Sequence, residues 1–134
     1  MNRLSALCLA AALVLVGGCS NRESAQARAP RDTGTAMTVV AADGVQEITV
    51  SGSEQLRFTP SRVRAHPGVL RIILVNTGTT PHDLEVLGPG AGQTTGLIPG
   101  GGQGRVTVTL TPGVHTFECT LHVRVHMTGT IVVA

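Results

Sequence analysis

The chain has 134 residues, of which 13% are charged, and its formal net charge is +2. This length suits one small domain, and so weak a charge lacks the basic footprint of a nucleic-acid-binding protein. Trp and Tyr are absent and only two residues are Phe, so the core must consist mainly of Val, Ile, Leu and Thr. The β-branched members of that set favour strands.

The N-terminal segment has the pattern of an export signal that ends at a lipid attachment site. Residues 4–16 are apolar and rich in Ala and Leu, and the run is too short to span a bilayer with ease. It ends in Val-Gly-Gly-Cys19, which resembles a bacterial lipobox. We expect a signal peptide over residues 1–18 and acylation of Cys19, which would hold the protein on a bilayer. The alternative is an ordinary signal peptide that is cut nearby, with Cys19 incidental.

A polar tether is expected over residues 19–36. This stretch contains Pro30 and Gly34 and has no hydrophobic periodicity, which is typical of a disordered segment. A flexible segment of this length spans about 20–25 Å on average. The folded domain is then expected over residues 37–134, at the periplasmic or extracellular face of a bacterial membrane.

Short apolar runs separated by Gly, Pro and Asn follow from residue 37 onward. Strands this short, at this spacing, predict an all-β sandwich or barrel. Residues 105–110 alternate apolar and polar, which indicates one buried and one solvated face. The predicted strands cover residues 38–41, 46–51, 63–65, 70–76, 83–87, 104–110, 114–119 and 129–133.

One cysteine is left without a partner in the expected exported domain. Cys8 lies in the signal peptide and Cys19 in the lipobox, so only Cys119 remains. Disulfides are the norm outside the cytoplasm, and an unpaired Cys there suggests a metal ligand or a reactive thiol. A buried, inert Cys is the alternative.

The stretch Cys119-Thr-Leu-His122-Val-Arg-Val-His126-Met127 is the most informative part of the sequence. It combines a thiolate, imidazoles and a thioether, and soft sulfur ligands with imidazole select copper. A Cys and two His with a weak axial Met form a type 1 (blue) copper site. The second His must come from elsewhere, and His82 is available. Met is a poor ligand for zinc, which disfavours a zinc site.

The chain resembles the cupredoxins, and its Cys-x2-His-x4-Met spacing matches the plastocyanin type. Other matching features are Phe-Thr-Pro60, Leu-Val-Asn76 and a Pro-Gly before the Cys strand, so the resemblance covers roughly residues 38–134. It implies a Greek-key β-sandwich or barrel of about seven or eight strands. It also implies one copper ion that alternates between Cu(I) and Cu(II). The ligands that it implies are His82, Cys119, His122 and Met127.

Two departures from the family pattern lie beside the implied ligands. The residue after the first His is usually Asn, but here it is Asp83. We hypothesise that Asp83 accepts hydrogen bonds from Thr120, and that its charge lowers the reduction potential; Asn76 is expected to support the same site. His126 stands before Met127, where Gly is common, and is an alternative ligand; its spacing to the Cys favours His122.

The function expected from this resemblance is one-electron transport by a monomer, not catalysis, because all four ligand positions would be filled. The partner would be an unidentified redox protein at the membrane, and the bilayer would be contacted through the acylated Cys. Residues 97–99 and Leu121 are expected to form an apolar docking patch. The alternative function is extracytoplasmic copper binding or delivery without electron transfer. A third interpretation is a structural sandwich that binds no metal.

Overall fold

The computed structural model describes residues 32–88 and 93–134. The expected signal peptide over residues 1–18, the expected lipidation of Cys19 and most of the expected tether lie outside the described residues. In the described part of the chain, no helix is long and apolar enough to cross a membrane.

Two β-sheets pack face to face, as the sequence predicts. The first has the strand order β1-β5-β11-β10-β7-β8, and the second has the order β2-β3-β6-β9, with β4 added beside β3. One 3₁₀-helix, Thr120–Val125, connects the last two strands. The strands are β1 Thr35–Met37, β2 Val39–Val40, β3 Gln46–Gly52, β4 Phe58–Thr59, β5 Arg62–Ala65, β6 Gly68–Asn76, β7 Glu85–Leu87, β8 Gln93–Thr94, β9 Gln103–Leu110, β10 Gly113–Glu118 and β11 Thr128–Val133.

The core lies between the two sheets and is built from alternate residues of each strand. In β6, Leu70, Ile72 and Leu74 are all fully buried, and intervening residues are partly exposed. This is the period of two expected for a strand with one buried face. The rings of Phe58 and Phe117 pack at a centroid distance of 5.2 Å with a 57° tilt. Aromatic pairs in such tilted arrangements are favourable beyond their buried area.

The strand pairing brings three chain segments to one end of the sandwich: the segments that follow β3, β6 and β10. β3 and β6 are parallel, with Gly52 opposite Asn76 at the ends of both strands. In the other sheet, Glu118 at the end of β10 lies opposite Thr128 at the start of β11. The segments that contain His82 and residues 119–127 therefore emerge at strand ends, where side chains can converge from loops.

The N-terminal edge of the domain differs from the prediction. Thr35 and Ala36, which we assigned to the tether, belong to β1 and pair with β5. Since β1, β5 and β11 all run parallel, β1 begins at the end of the sheet where β11 begins. The described chain therefore enters the domain at the end where residue 127 precedes β11.

Three short strands, β1, β4 and β8, were not predicted, and β7 begins at Glu85 rather than at residue 83. Two or three residues carry no measurable periodicity, so pairing with a neighbouring strand alone defines these elements. Before β7, the Leu84 backbone N–H donates to Thr95 Oγ1 at 3.0 Å instead of to a strand. The Asp83 side chain meanwhile contacts another loop.

Candidate metal centre

His82 is held by its backbone and by the far side of its ring. Its backbone N–H donates to the Ile98 carbonyl at 3.0 Å, and Ile98 N–H donates back to the His82 carbonyl at 2.7 Å. The ring is fully buried, and Nε2 lies 3.0 Å from the Ser53 carbonyl oxygen. A carbonyl can only accept, so Nε2 carries the hydrogen and Nδ1 is left with its lone pair free. Burial lowers the pKa of His82, which also favours this neutral form.

The loop between β10 and β11 closes on itself through backbone hydrogen bonds. The Cys119 N–H donates to the Met127 carbonyl at 3.0 Å, and the His122 N–H donates to the Cys119 carbonyl at 3.0 Å. His126 adopts the left-handed conformation, with φ of 56°, at the end of the 3₁₀-helix. The loop therefore brings both ends of the Cys-x2-His-x4-Met sequence together.

Three donor atoms converge between the His82 segment and this loop. The Cys119 Sγ atom lies 3.9 Å from Nδ1 of His82 and 3.2 Å from Nδ1 of His122. One donor atom from each of the three residues lies within 4.8 Å of the others. The thiol is fully buried, and this burial raises the pKa of Cys119. Binding a metal would therefore require loss of the thiol proton.

Met127 completes the group from the buried side. Its side chain is fully buried, and its Cε atom would lie 3.4 Å from a Cβ atom added at Gly52. The same Cβ atom would lie 3.1 Å from Cδ2 of His82. The His82 ring and the Met127 methyl group thus both pack against Gly52, where a larger residue would crowd them.

The donor chemistry of this cluster fits copper. Two imidazole nitrogens and a cysteine sulfur with a thioether beside them are the donor set of a blue copper site. His82, Cys119, His122 and Met127 are placed to bind one copper ion. His126 does not belong to the cluster and is exposed, so the geometry favours His122 as the ligand.

Asp83 joins the two ligand segments. Its Oδ1 accepts a hydrogen bond from the Thr120 backbone N–H at 2.7 Å, and its Oδ2 accepts one from the Thr120 hydroxyl. This is the contact that the sequence led us to expect for Asp83 and Thr120. It links the residue after His82 to the residue after Cys119, so the two ligands cannot separate without breaking it.

Asn76 holds the His82 segment through hydrogen bonds of its side-chain amide. It is buried, and its Nδ2 donates to the Thr80 carbonyl at 2.8 Å and to the Ile98 carbonyl at 3.1 Å. Its Oδ1 accepts from the Gly78 N–H at 3.0 Å. Asn76 therefore fixes the turn that leads to His82 and the Ile98 backbone that pairs with it.

A third segment, residues 52–54, contacts the site and was not predicted from the sequence. Gly52 packs against the His82 ring, the Ser53 carbonyl accepts from it, and Glu54 binds the preceding loop. These residues are far from His82 along the chain and have no spacing that relates them to it. Only the parallel pairing of β3 with β6 brings them there.

The apolar surface around His122 differs in part from the expected docking patch. Leu97 and Leu121 are exposed, at 62% and 54%, but Ile98 is buried at 7% and is not part of the surface. Ile98 pairs with the His82 backbone and so points into the core. Val123 and Val125, which follow His122 in the 3₁₀-helix, are exposed as well, at 43% and 51%.

Comparison with solved structures shows the same fold. Auracyanin from the photosynthetic bacterium Roseiflexus castenholzii, in its dithionite-reduced form, is 19% identical, with a TM-score of 0.59 over 66% of this chain and 96% of that one. Auracyanin A, a "blue" copper protein from Chloroflexus aurantiacus, is 16% identical, with a TM-score of 0.59 over 75% of this chain and 100% of that one.

A third neighbour is the metal-binding domain of the Cu(I)-exporting P-type ATPase CopA from Streptococcus pneumoniae D39, with Cu(I). It is 17% identical, with a TM-score of 0.61 over 76% of this chain and 97% of that one.

No curated protein sequence matches the chain significantly. The family model of the cupredoxin-like domain matches residues 8–133. With its two-sheet fold and its His-Cys-His-Met group, the chain belongs to the cupredoxin-like family.

Proposed function

We propose that the protein is a type 1 copper electron carrier that works at the outer face of a bacterial membrane. The observation that carries this proposal is the convergence of His82, Cys119 and His122 donor atoms within 4.8 Å, with Met127 buried beside them. Copper bound there would supply one-electron chemistry by alternating between Cu(II) and Cu(I).

The protein residues would hold the ligands still while the electron moves. The Ser53 carbonyl fixes the His82 ring, and Asp83 fixes the distance between the two ligand segments. Such partners behind the ligands set their orientation and tune the metal. Cys119 and Met127 are fully buried, so water is excluded on the core side. A site that keeps one arrangement in both oxidation states exchanges electrons with little rearrangement.

His122 is the route by which the electron would leave. It is partly exposed, whereas the other three ligands are buried. Leu121, Val123 and Val125 share its 3₁₀-helix, Leu97 precedes the residue that pairs with the His82 backbone, and all four side chains are exposed and apolar. We expect the redox partner, a protein at the same membrane, to dock on this surface. The carrier would act as a monomer, and acylated Cys19 would anchor it to the bilayer.

The four ligand positions also support a carrier rather than an enzyme. Catalytic metal sites keep an open position for water or substrate, and here two imidazoles, one thiolate and one thioether supply a full set. We therefore propose no catalytic activity for this domain.

The test is a visible and electron paramagnetic resonance spectrum after Cu(II) is added to the purified domain. We expect an intense blue thiolate-to-copper band, narrow copper hyperfine splitting and a reversible one-electron wave at an electrode. Cys119→Ser should abolish the band, and His126→Ala, which leaves the four ligands intact, should keep it. Absence of the blue band from the wild type would overturn the proposal.

Copper delivery is the second candidate function. It is favoured by the likeness to the metal-binding domain of a Cu(I)-exporting ATPase, which uses this fold with Cu(I). A delivery protein must let its partner reach the ligands, and only His122 among the four is accessible. Transfer of Cu(I) to a competing metal-free acceptor separates the two functions. A carrier should retain copper for hours, whereas a delivery protein should release it within minutes.

A further inference from the structure

Glu54 is an exposed carboxylate that accepts an unusually complete set of hydrogen bonds. Its Oε2 accepts from the backbone N–H groups of Thr79 and Thr80 at 2.7 and 3.1 Å, and from the Thr79 hydroxyl at 3.2 Å. Its Oε1 accepts from the Thr80 hydroxyl at 2.7 Å. Hydrogen bonds to an ionised acceptor are stronger than those between neutral groups. They lower the pKa of Glu54 to about 2, the Thr80 hydroxyl having the largest effect.

The loop that Glu54 binds leads directly to a copper ligand. Thr79 and Thr80 precede Pro81 and His82 in the chain. The residue next to Glu54 is Ser53, whose carbonyl accepts from the His82 ring. Residues 53 and 54 thus hold both the backbone before His82 and the far side of its ring.

The close approach of Glu54 also depends on a glycine. A Cβ atom at Gly78 would lie 2.5 Å from Oε2 of Glu54 and 2.8 Å from its backbone nitrogen. Asn76 binds the other backbone group of Thr80, because its Nδ2 donates to the Thr80 carbonyl at 2.8 Å. Glu54 accepts from the Thr80 N–H while Asn76 donates to the Thr80 carbonyl, so the peptide units before and after the Thr80 Cα are both held.

We propose that Glu54 is a positioning residue for the His82 ligand. By fixing the Thr79 and Thr80 backbone against residue 53, it presents Nδ1 of His82 toward Cys119 and His122 before the metal arrives. This inference rests on the proposed function, since it takes copper to be the ion bound. Residues behind metal ligands typically change metal affinity 10–100-fold when replaced. Glu54 acts through the backbone, and we expect an effect near the lower limit.

Two substitutions of Glu54 separate its shape from its charge. Glu54→Ala removes every contact, whereas Glu54→Gln keeps one oxygen for the two N–H groups and an amide that can donate to the Thr80 hydroxyl. Asp43→Ala is the matched control. Asp43 is also an exposed carboxylate with a lowered pKa. It lies in the turn before β3, away from the site, and pairs with Arg71 of β6.

The first measurement is amide hydrogen exchange of Thr79 and Thr80 in the metal-free full chain. The second is the dissociation rate of Cu(II), and the third is its hyperfine splitting. Glu54→Ala should speed exchange and copper dissociation about tenfold and should change the splitting. Glu54→Gln should restore values within about twofold of wild type, and Asp43→Ala should change none of them. Wild-type dissociation and splitting in Glu54→Ala would overturn the proposal, as would an equal change in Asp43→Ala.

Thr80→Val provides a second test if Glu54→Ala does not fold. It removes one hydroxyl contact with little change of shape, and it should speed copper dissociation about threefold; wild-type dissociation would overturn the proposal. If the wild type bound no copper, the proposed function would be wrong, but the role of Glu54 in positioning His82 could still be tested without metal. The His82 ring signals of metal-free Glu54→Ala would then decide: a shifted ring supports positioning by Glu54, and an unchanged ring overturns it.

Discussion

The Asp83 carboxylate accepts a hydrogen bond from the Thr120 backbone N–H at 2.7 Å and another from its hydroxyl. The two residues follow the ligands His82 and Cys119 directly. A full negative charge therefore lies next to both ligand segments, in a residue that is 8% exposed. Poor access of solvent to that charge reduces its screening.

Asp83→Asn is expected to raise the reduction potential. The amide can still accept from the Thr120 N–H, so the link between the segments remains, but the charge that favours Cu(II) over Cu(I) is lost. For one electron, each tenfold change in that equilibrium corresponds to about 59 mV, and we expect a rise on the order of tens of millivolts. Protein-film voltammetry measures it, with Glu47→Gln as a control away from the site. An unchanged potential would exclude this role for the charge.

Gly52→Ala is expected to change the spectrum of the copper site and to lower the stability of the fold moderately. The added Cβ would lie 3.1 Å from Cδ2 of His82, so the ring or the Met127 methyl group must move by a few tenths of an ångström. Overpacking of this kind costs about 1–3 kcal/mol. Copper hyperfine splitting and urea denaturation measure the two effects. Ser51→Ala, on the same strand, should leave the splitting unchanged.

Gly129→Ala is expected to destabilise the fold itself. The new Cβ would lie 2.1 Å from Cζ of Phe117, a fully buried ring. Because the contact is much closer than any real one, we expect a loss of about 3 kcal/mol, at the upper end for overpacked cores. Urea denaturation of the metal-free protein measures this loss. Thr128→Ala, its neighbour in β11, should cost about 1 kcal/mol or less; equal losses would contradict this explanation.

Acid should remove the stabilisation contributed by Glu54. Its pKa falls from 4.5 to about 2 in the folded protein, mainly because the Thr80 hydroxyl and neighbouring N–H groups donate to the carboxylate. The unfolded chain binds this proton more readily, so the contribution is present above pH 4.5 and disappears as the pH falls toward about 2. The difference in urea midpoint between wild type and Glu54→Gln should therefore shrink from pH 6 to about pH 2.5. A difference in urea midpoint that stays constant over this pH range would contradict a stabilising role for the ionised Glu54 carboxylate.

Copper should raise the melting temperature without being required for folding. The core cluster consists mainly of aliphatic side chains from both sheets, and only Cys119 and Met127 among its members belong to the proposed ligands. Ligands that bind only the folded state stabilise it in proportion to ln(1 + [L]/Kd). The melting temperature should rise with Cu(II) concentration, and the metal-free protein should still unfold cooperatively. A metal-free protein without a cooperative transition would show that the metal is part of the fold.

Much of the site could be predicted because its ligands are close together in the sequence. Cys119, His122 and Met127 belong to one loop, so their spacing indicates a common metal. His82 is distant from them and was assigned through the family resemblance. The strands were predicted from short apolar runs between Gly, Pro and Asn, and the alternation of residues 105–110 correctly indicated the single buried face of β9.

The rest of the site depends on contacts that have no local pattern. Ser53 and Glu54 meet the His82 segment only because β3 and β6 pair in parallel, with Gly52 opposite Asn76. The register in which two distant strands pair cannot be predicted from the residue pattern of either strand alone. Ile98 was mistaken for a surface residue for a related reason. Its neighbours read as an exposed loop, but its backbone pairs with His82 and turns its side chain inward.

The parallel order of β1, β5 and β11 has a practical consequence for attaching the protein to a surface. Thr33 donates to the Phe58 carbonyl, and its N–H donates to Ser61 Oγ at 2.9 Å, so the chain is pinned where it enters β1. Immobilisation through residues before Asp32 would therefore direct the copper end toward an electrode and shorten the distance that electrons must cross. A bulky fusion partner at the same position would crowd that end.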